Sequence, residues 1–126
     1  MSSTDYFYKD PRFQEGIDLF NSQEWYLAHD SFEDLWHETA GVERNTLQAI
    51  LQVAVAQLHL ERGNTNGALI LFGEALGRIN NRASSDLGLE LDVLVDSIKS
   101  IVSKLQNGQR PDESSLPLLK KKTGIS

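Results

Sequence analysis

His29, Glu33 and His37 recur at intervals of four residues in and just beyond the stretch WYLAHDSFEDLW, Trp25 to Trp36. On a helix, side chains four residues apart share one face and can meet. His29 and Glu33 could therefore ligate one divalent metal, or the carboxylate could accept an imidazole N–H and fix the ring's tautomer. His37 continues the series but falls further round the wheel, toward solvent. The inner pair stands among Trp25, Phe32 and Trp36. An imidazole and a carboxylate buried in such surroundings are costly unless each is hydrogen-bonded.

A second stretch, NTLQAILQVAVAQLHL, Asn45 to Leu60, offers the partners. At about 100° per residue, Gln48, Gln52 and His59 fall within roughly 40° of one another and form a polar line on an otherwise apolar helix. Gln57 lies on the opposite side and looks incidental. The expected site is a pocket with His29 and Glu33 as its inner pair. Gln48, Gln52 and His59 face them, with Trp25 and Trp36 as walls. Three uses follow from these residue types. The pocket could bind a small molecule or a protein partner. It could hold a divalent metal on His29, Glu33 and His59, two nitrogens and a carboxylate with a fourth position open for water, as a hydrolase would need. Or the same residues could satisfy one another as a polar network that only shapes the core. The tryptophans have a plainer role available, as core residues at helical spacing. No His-Glu-x-x-His motif, phosphate loop or nucleophile elbow is present.

These residues need helices to position them, and the chain supplies about five. Asp10-Pro11 starts the first, with Asp as N-cap and Pro where its missing N–H costs nothing. It runs to about Phe20, with Phe13, Ile17 and Phe20 on one face, and Ser22 is placed to cap the next. The second covers about Gln23 to Glu38, with Asp30, Asp34 and Glu38 turned to water. The third, about Glu43 to Arg62, is apolar nearly all round, as a central helix must be. The fourth, about Asn66 to Ile79, is capped by Asn64 or Thr65. Its glycines Gly67, Gly73 and Gly77 suggest close approach to a neighbour. The loop NNRASS follows, then a fifth helix opened by Ser85 or Asp86 and ending at Gln106, with Leu87, Leu91, Leu94 and Ile98 on its apolar face.

The pattern predicts an all-α protein: a single compact bundle of about five antiparallel helices around the third, with residues 1–126 as one domain. Its core spans 11–106, residues 1–9 form an arm, and 107–126 form a tail kept extended by Pro111 and Pro117. Ala28, Phe32 and Leu35 are echoed by Ala68, Phe72 and Ala75 forty positions on. That spacing is how stacked helical hairpins of the tetratricopeptide type pack.

Composition narrows the classes. A net charge of −6 in 126 residues argues against nucleic acid, whose binding rests on neutralising phosphates. Lys120, Lys121 and Lys122 read as a solvated basic tail. The absence of cysteine excludes disulfides and thiolate metal sites and fits a reducing compartment. The N-terminal MSSTDYFYKD has no secretory pattern, and no stretch approaches the roughly 20 apolar residues of a membrane span. A cytoplasmic protein is expected, with a homodimer open as its assembly.

Between residues 11 and 80 the order of motifs is specific. Gly16-Ile17-Asp18-Leu19-Phe20-Asn21 is followed by Ala28-His29-Asp30-Ser31-Phe32-Glu33-Asp34-Leu35-Trp36. Then come Leu47-Gln48-Ala49-Ile50-Leu51-Gln52-Val53-Ala54, His59, Arg62-Gly63-Asn64 and Gly67-Ala68. In these the chain resembles the prokaryotic and plastid family named domain of unknown function 309. The resemblance implies an all-α bundle and no particular activity, although some members carry a label suggesting a metal-dependent hydrolase.

Overall fold

A computed structural model describes residues 9–80 and 85–123. The expected N-terminal arm lies outside the described residues except for Lys9. So does most of the loop after the fourth helix. Among the described residues the chain forms α1 (Pro11–Asn21), α2 (Trp25–Glu38), α3 (Gly41–Glu61), α4 (Thr65–Ile79) and α5 (Leu91–Gln106), then a 3₁₀ turn at Glu113–Ser115. There is no strand among them, only an isolated bridge between Leu89 and Lys121. The expected all-α bundle is what the structure shows.

α1 begins where Asp10-Pro11 requires. The Asp10 carboxylate accepts the Arg12 backbone N–H at 2.9 Å and pairs with the Arg12 guanidinium at 2.9 Å. Phe13, Gly16, Ile17 and Phe20 are its buried face, and it lies on α2. Gly16 is the tight point of that seam: a Cβ there would stand 2.6 Å from Cε1 of Phe32. The rings of Phe13 and Phe32 meet edge-on at 6.2 Å, as do Phe20 and Trp25 at 5.0 Å. Trp25 is therefore a core residue at the α1–α2 corner.

Ser22 does not cap α2. Its backbone N–H closes α1 on Asp18 and Leu19, and α2 starts two residues later than expected, after Glu24. The intervening Gln23 sits at φ 65°, a left-handed conformation that ends helices and leaves no room for Ser22 to begin one.

α3 is central as its composition requires. Leu47, Ala49, Ile50, Val53, Ala54 and Ala56 are all fully buried, packed between α2 on one side and α4 on the other. Ala28, Phe32 and Leu35 of α2 and Ala68, Phe72 and Ala75 of α4 present matching buried stripes, each residue at most 1% exposed. Burying a phenylalanine so completely stabilises the fold by roughly 1.5–3 kcal/mol. The glycines of α4 do not serve a close approach. Nothing lies within 4 Å of a Cβ built on Gly73 or Gly77, and at Gly67 the neighbour is the capping side chain of Asn64.

α5 starts later than its apolar pattern suggests. Leu87 and Gly88 adopt φ 55° and φ 76° in succession, which no right-handed helix permits. The turn is fixed by the Ser85 hydroxyl, accepting from Leu87 N–H at 3.2 Å, and by the Asp86 carboxylate, accepting from Gly88 N–H at 2.8 Å. Such local side-chain bonds compete successfully with helix formation. Leu87 and Leu89 are still buried, so the apolar spacing signalled burial and not helix.

The tail is docked. Asn21 grips Leu119 with both ends of its amide, at 2.9 and 2.8 Å, and Leu119 is buried. The three lysines beyond it are engaged, contrary to expectation. Lys120 faces Glu90 at 3.7 Å, Lys121 bonds Gln14, and Lys122 pairs with Asp86. A net-acidic surface gives a basic terminus partners wherever it is laid down.

Candidate functional site

A cleft of ≈ 270 Å³ opens between α2 and α3, with Leu71 of α4 at its edge. His29, Glu33 and Trp36 line it from α2, and Gln48, Leu51, Gln52 and Val55 from α3. The four-residue spacing on α2 acts as geometry requires: Nε2 of His29 lies 3.1 Å from the Glu33 carboxylate. The other Glu33 oxygen lies 3.4 Å from Nε2 of His37. The carboxylate is thus bracketed by two imidazoles, of which the sequence pattern weighted only the first. The group is not buried. The Glu33 side chain is 41% exposed, that of His29 28% and that of His37 60%, so water supplies much of its hydrogen bonding.

Trp36 forms one wall, with the Arg44 guanidinium 4.0 Å from the centre of its ring, a cation–π arrangement that fixes the indole's orientation. Its indole N–H is buried without a partner among the described residues. Trp25, the other expected wall, is absent from this cleft. It lines a separate cavity beside α5 and the tail.

The two glutamines of the polar line diverge. Gln52 is nearly buried, and both ends of its amide are taken by α4. It donates to Glu74 at 2.8 Å and accepts from Arg78 at 3.1 Å. Arg78 also donates to Asn45 at 2.9 Å, whose own amide donates to the Arg78 carbonyl at 3.1 Å. The polar network expected between Gln52 and the His29–Glu33 pair is therefore replaced by one reaching the other way. Its sequence signal was the Glu74–Arg78 pair, at the same four-residue spacing. Gln48 is half-buried, and its side chain makes no hydrogen bond to any described residue.

His59 does not join the site. Its Nδ1 lies 3.0 Å from the Asn64 amide nitrogen at the α3–α4 corner. The wheel placed it correctly in angle but carries no axial distance. His59 is one turn beyond Val55, where α3's lining of the cleft ends, and about 16 Å along the axis from Gln48 at 1.5 Å per residue. The expected metal set of His29, Glu33 and His59 is accordingly not assembled. Among the described residues no group of three or more His, Asp or Glu side chains is placed to hold a metal ion. Nor is any helix among them long and apolar enough to cross a membrane. Gln57, opposite on the wheel, is 5% exposed, and its amide oxygen has no partner among the described residues.

These features define an all-helical protein of paired helices with a half-open polar cleft against its central helix. Residues 13–71 match the model of the family described as "Domain of unknown function (DUF309)", which supports membership of that family. The match spans α1, α2, α3 and the first half of α4, and so takes in every residue that lines the cleft. A comparison with curated proteins returned no match.

Proposed function

We propose that the chain is a binding module and that the α2–α3 cleft takes a small ligand, or one side chain of a protein partner, of mixed polarity. The observation that carries this reading is Gln48. Its amide lines the same cleft as the His29–Glu33 pair and is left without a partner among the described residues, one turn from a Gln52 bonded at both ends of its amide. An amide, an imidazole and a carboxylate set around Leu51, Val55, Leu71 and the Trp36 ring combine an apolar floor with a few convergent polar groups. That is the composition of small-molecule sites, and the volume lies near the small end of their roughly 300–1,000 Å³ range. Donors and acceptors are both present, so a neutral or singly charged ligand carrying both is favoured over a plain hydrocarbon.

The test is a fragment screen by two-dimensional NMR, read at the Gln48 side-chain amide and the Trp36 indole N–H. It is repeated on Glu33→Gln, which keeps shape and hydrogen-bonding capacity while removing the charge. Saturable binders that move both signals, and weaken in Glu33→Gln without a loss of melting temperature, support the site. A screen whose binders all leave those two signals unmoved would sink it. A Glu33→Gln variant that melts far lower would assign the carboxylate to folding instead.

A further inference from the structure

A second cavity, of ≈ 320 Å³, lies where the tail crosses the ends of α3 and α5. Its walls are apolar where Trp25, Leu60, Ile101 and Leu116 line it. Gln57 of the central helix also lines it, 95% removed from solvent by its exposure of 5%. Its carbonyl oxygen has no partner, and its side chain makes no hydrogen bond to any described residue. An amide so placed is destabilising unless something bonds it. A leucine at that position would have suited the surrounding core.

The cavity also carries one charge of each sign. Glu61 at the end of α3 and Arg110 on the tail both line it. They form no ion pair with each other or with any other described residue. A purely anionic ligand would meet Glu61 and a purely cationic one Arg110. A ligand carrying both charges is complementary to the pair. Gln23, whose left-handed backbone ends α1, also lines it.

From these features we infer that this cavity is a second binding site, for a small zwitterion with an apolar body, the class of the apolar free amino acids. The carboxylate of such a ligand faces Arg110 and its ammonium Glu61. The apolar body lies against Trp25 and Leu116, and the NH2 of the Gln57 amide is the end available to donate to the ligand's carboxylate. The site is separate from the α2–α3 cleft and shares no lining residue with it.

The experiment uses the full chain in two-dimensional ¹⁵N NMR, titrated with L-leucine and L-phenylalanine to millimolar concentration. N-acetyl-L-leucine amide, 4-methylpentanoate and isopentylamine serve as the uncharged, anionic and cationic controls. The amino acids are expected to give saturable shifts at the Gln57 side-chain amide and the Trp25 indole N–H, leaving the Gln48 amide unmoved. Glu61→Gln and Arg110→Gln, both at exposed positions, should each weaken binding about tenfold or more, equivalent to about 1.4 kcal/mol, with unchanged melting temperature. If no amino acid moves the Gln57 amide, the cavity is a water-filled void and the inference falls. It falls equally if a control binds as well as leucine, or if neither charge substitution weakens binding.

Discussion

Gln48 and Gln52 stand one turn apart on the same helix, and their surroundings differ in kind. On the α4 side, Gln52 is closed between a carboxylate and a guanidinium, and Arg78 is tied onward to Asn45. Each of those four side chains has at least one protein partner, the arrangement of a network that fixes packing. Gln48, toward α2, lines an open cleft beside a His29–Glu33–His37 series that is partly exposed. Identical residue types one turn apart on the same face of α3 thus end differently, one closed by protein partners and the other without a side-chain partner among the described residues. Satisfaction of hydrogen bonds separates the two roles better than residue identity.

The largest effect is expected on the closed side. Gln52→Ala removes two hydrogen bonds to charged groups and leaves a small cavity, and should cost about 2–3 kcal/mol in urea unfolding. A double-mutant cycle with Arg78→Met should show coupling of about 1 kcal/mol or more. A cost below about 0.5 kcal/mol would mean the network contributes nothing to folding, and the contrast with Gln48 would disappear.

Next come two glycines that test packing on the same terms. Gly16→Ala forces a methyl to 2.6 Å from the Phe32 ring, which cannot move freely in a filled core. The strain outweighs the gain in helix propensity, for a net loss of about 1–2 kcal/mol. Gly73→Ala adds the same methyl where nothing lies within 4 Å, and should stabilise by about 1 kcal/mol. Thermal melts of both variants check the pair. A stabilised Gly16→Ala would show that α1 can slide on α2.

How much of this was legible in the sequence follows from what a helical wheel contains. Burial stripes repeat with helical period, so Ala28, Phe32 and Leu35, and the centrality of α3, could be read directly. Angle was legible too, which is why Gln48 and Gln52 were both marked. Axial position and the identity of the facing helix were not. His59 shares the angle but lies beyond the cleft, and Gln52 turns to α4 because α3 is enclosed from both sides. Gln57 was set aside for lying opposite a presumed single site, although a helix buried on most sides has no idle face. At Leu87-Gly88, side-chain bonds from Ser85 and Asp86 overrode an apolar spacing that looked helical.

A smaller effect concerns the tail. Lys122 beside it, with the Gly88 N–H, holds the Asp86 carboxyl below its ordinary value of 3.8. A depressed carboxylate adds stability that is complete above the unfolded pKa and is lost as pH falls through the folded one. The melting temperature of Asp86→Asn should therefore lie slightly below wild type at neutral pH, with the gap beginning to close as pH falls below about 3.8 and closing fully only beneath the depressed folded value. Parallel curves across the acid range would show that the pair does not anchor the tail.

The smallest effect on stability is expected at Gln48, and it tests the comparison most directly. Gln48→Leu places an apolar side chain beside Leu51, Val55 and Leu71, where no side-chain hydrogen bond to a described residue is lost. The melting temperature should stay level or rise slightly, within about 0.5 kcal/mol of wild type. A functional polar residue is commonly retained at some cost to stability, so a level or raised melting point combined with loss of cleft binders would separate Gln48 from Gln52 by role. A loss approaching that of Gln52→Ala would instead mean that ordered water completes a structural network around Gln48. The cleft would then belong to folding, and the two glutamines would be alike after all.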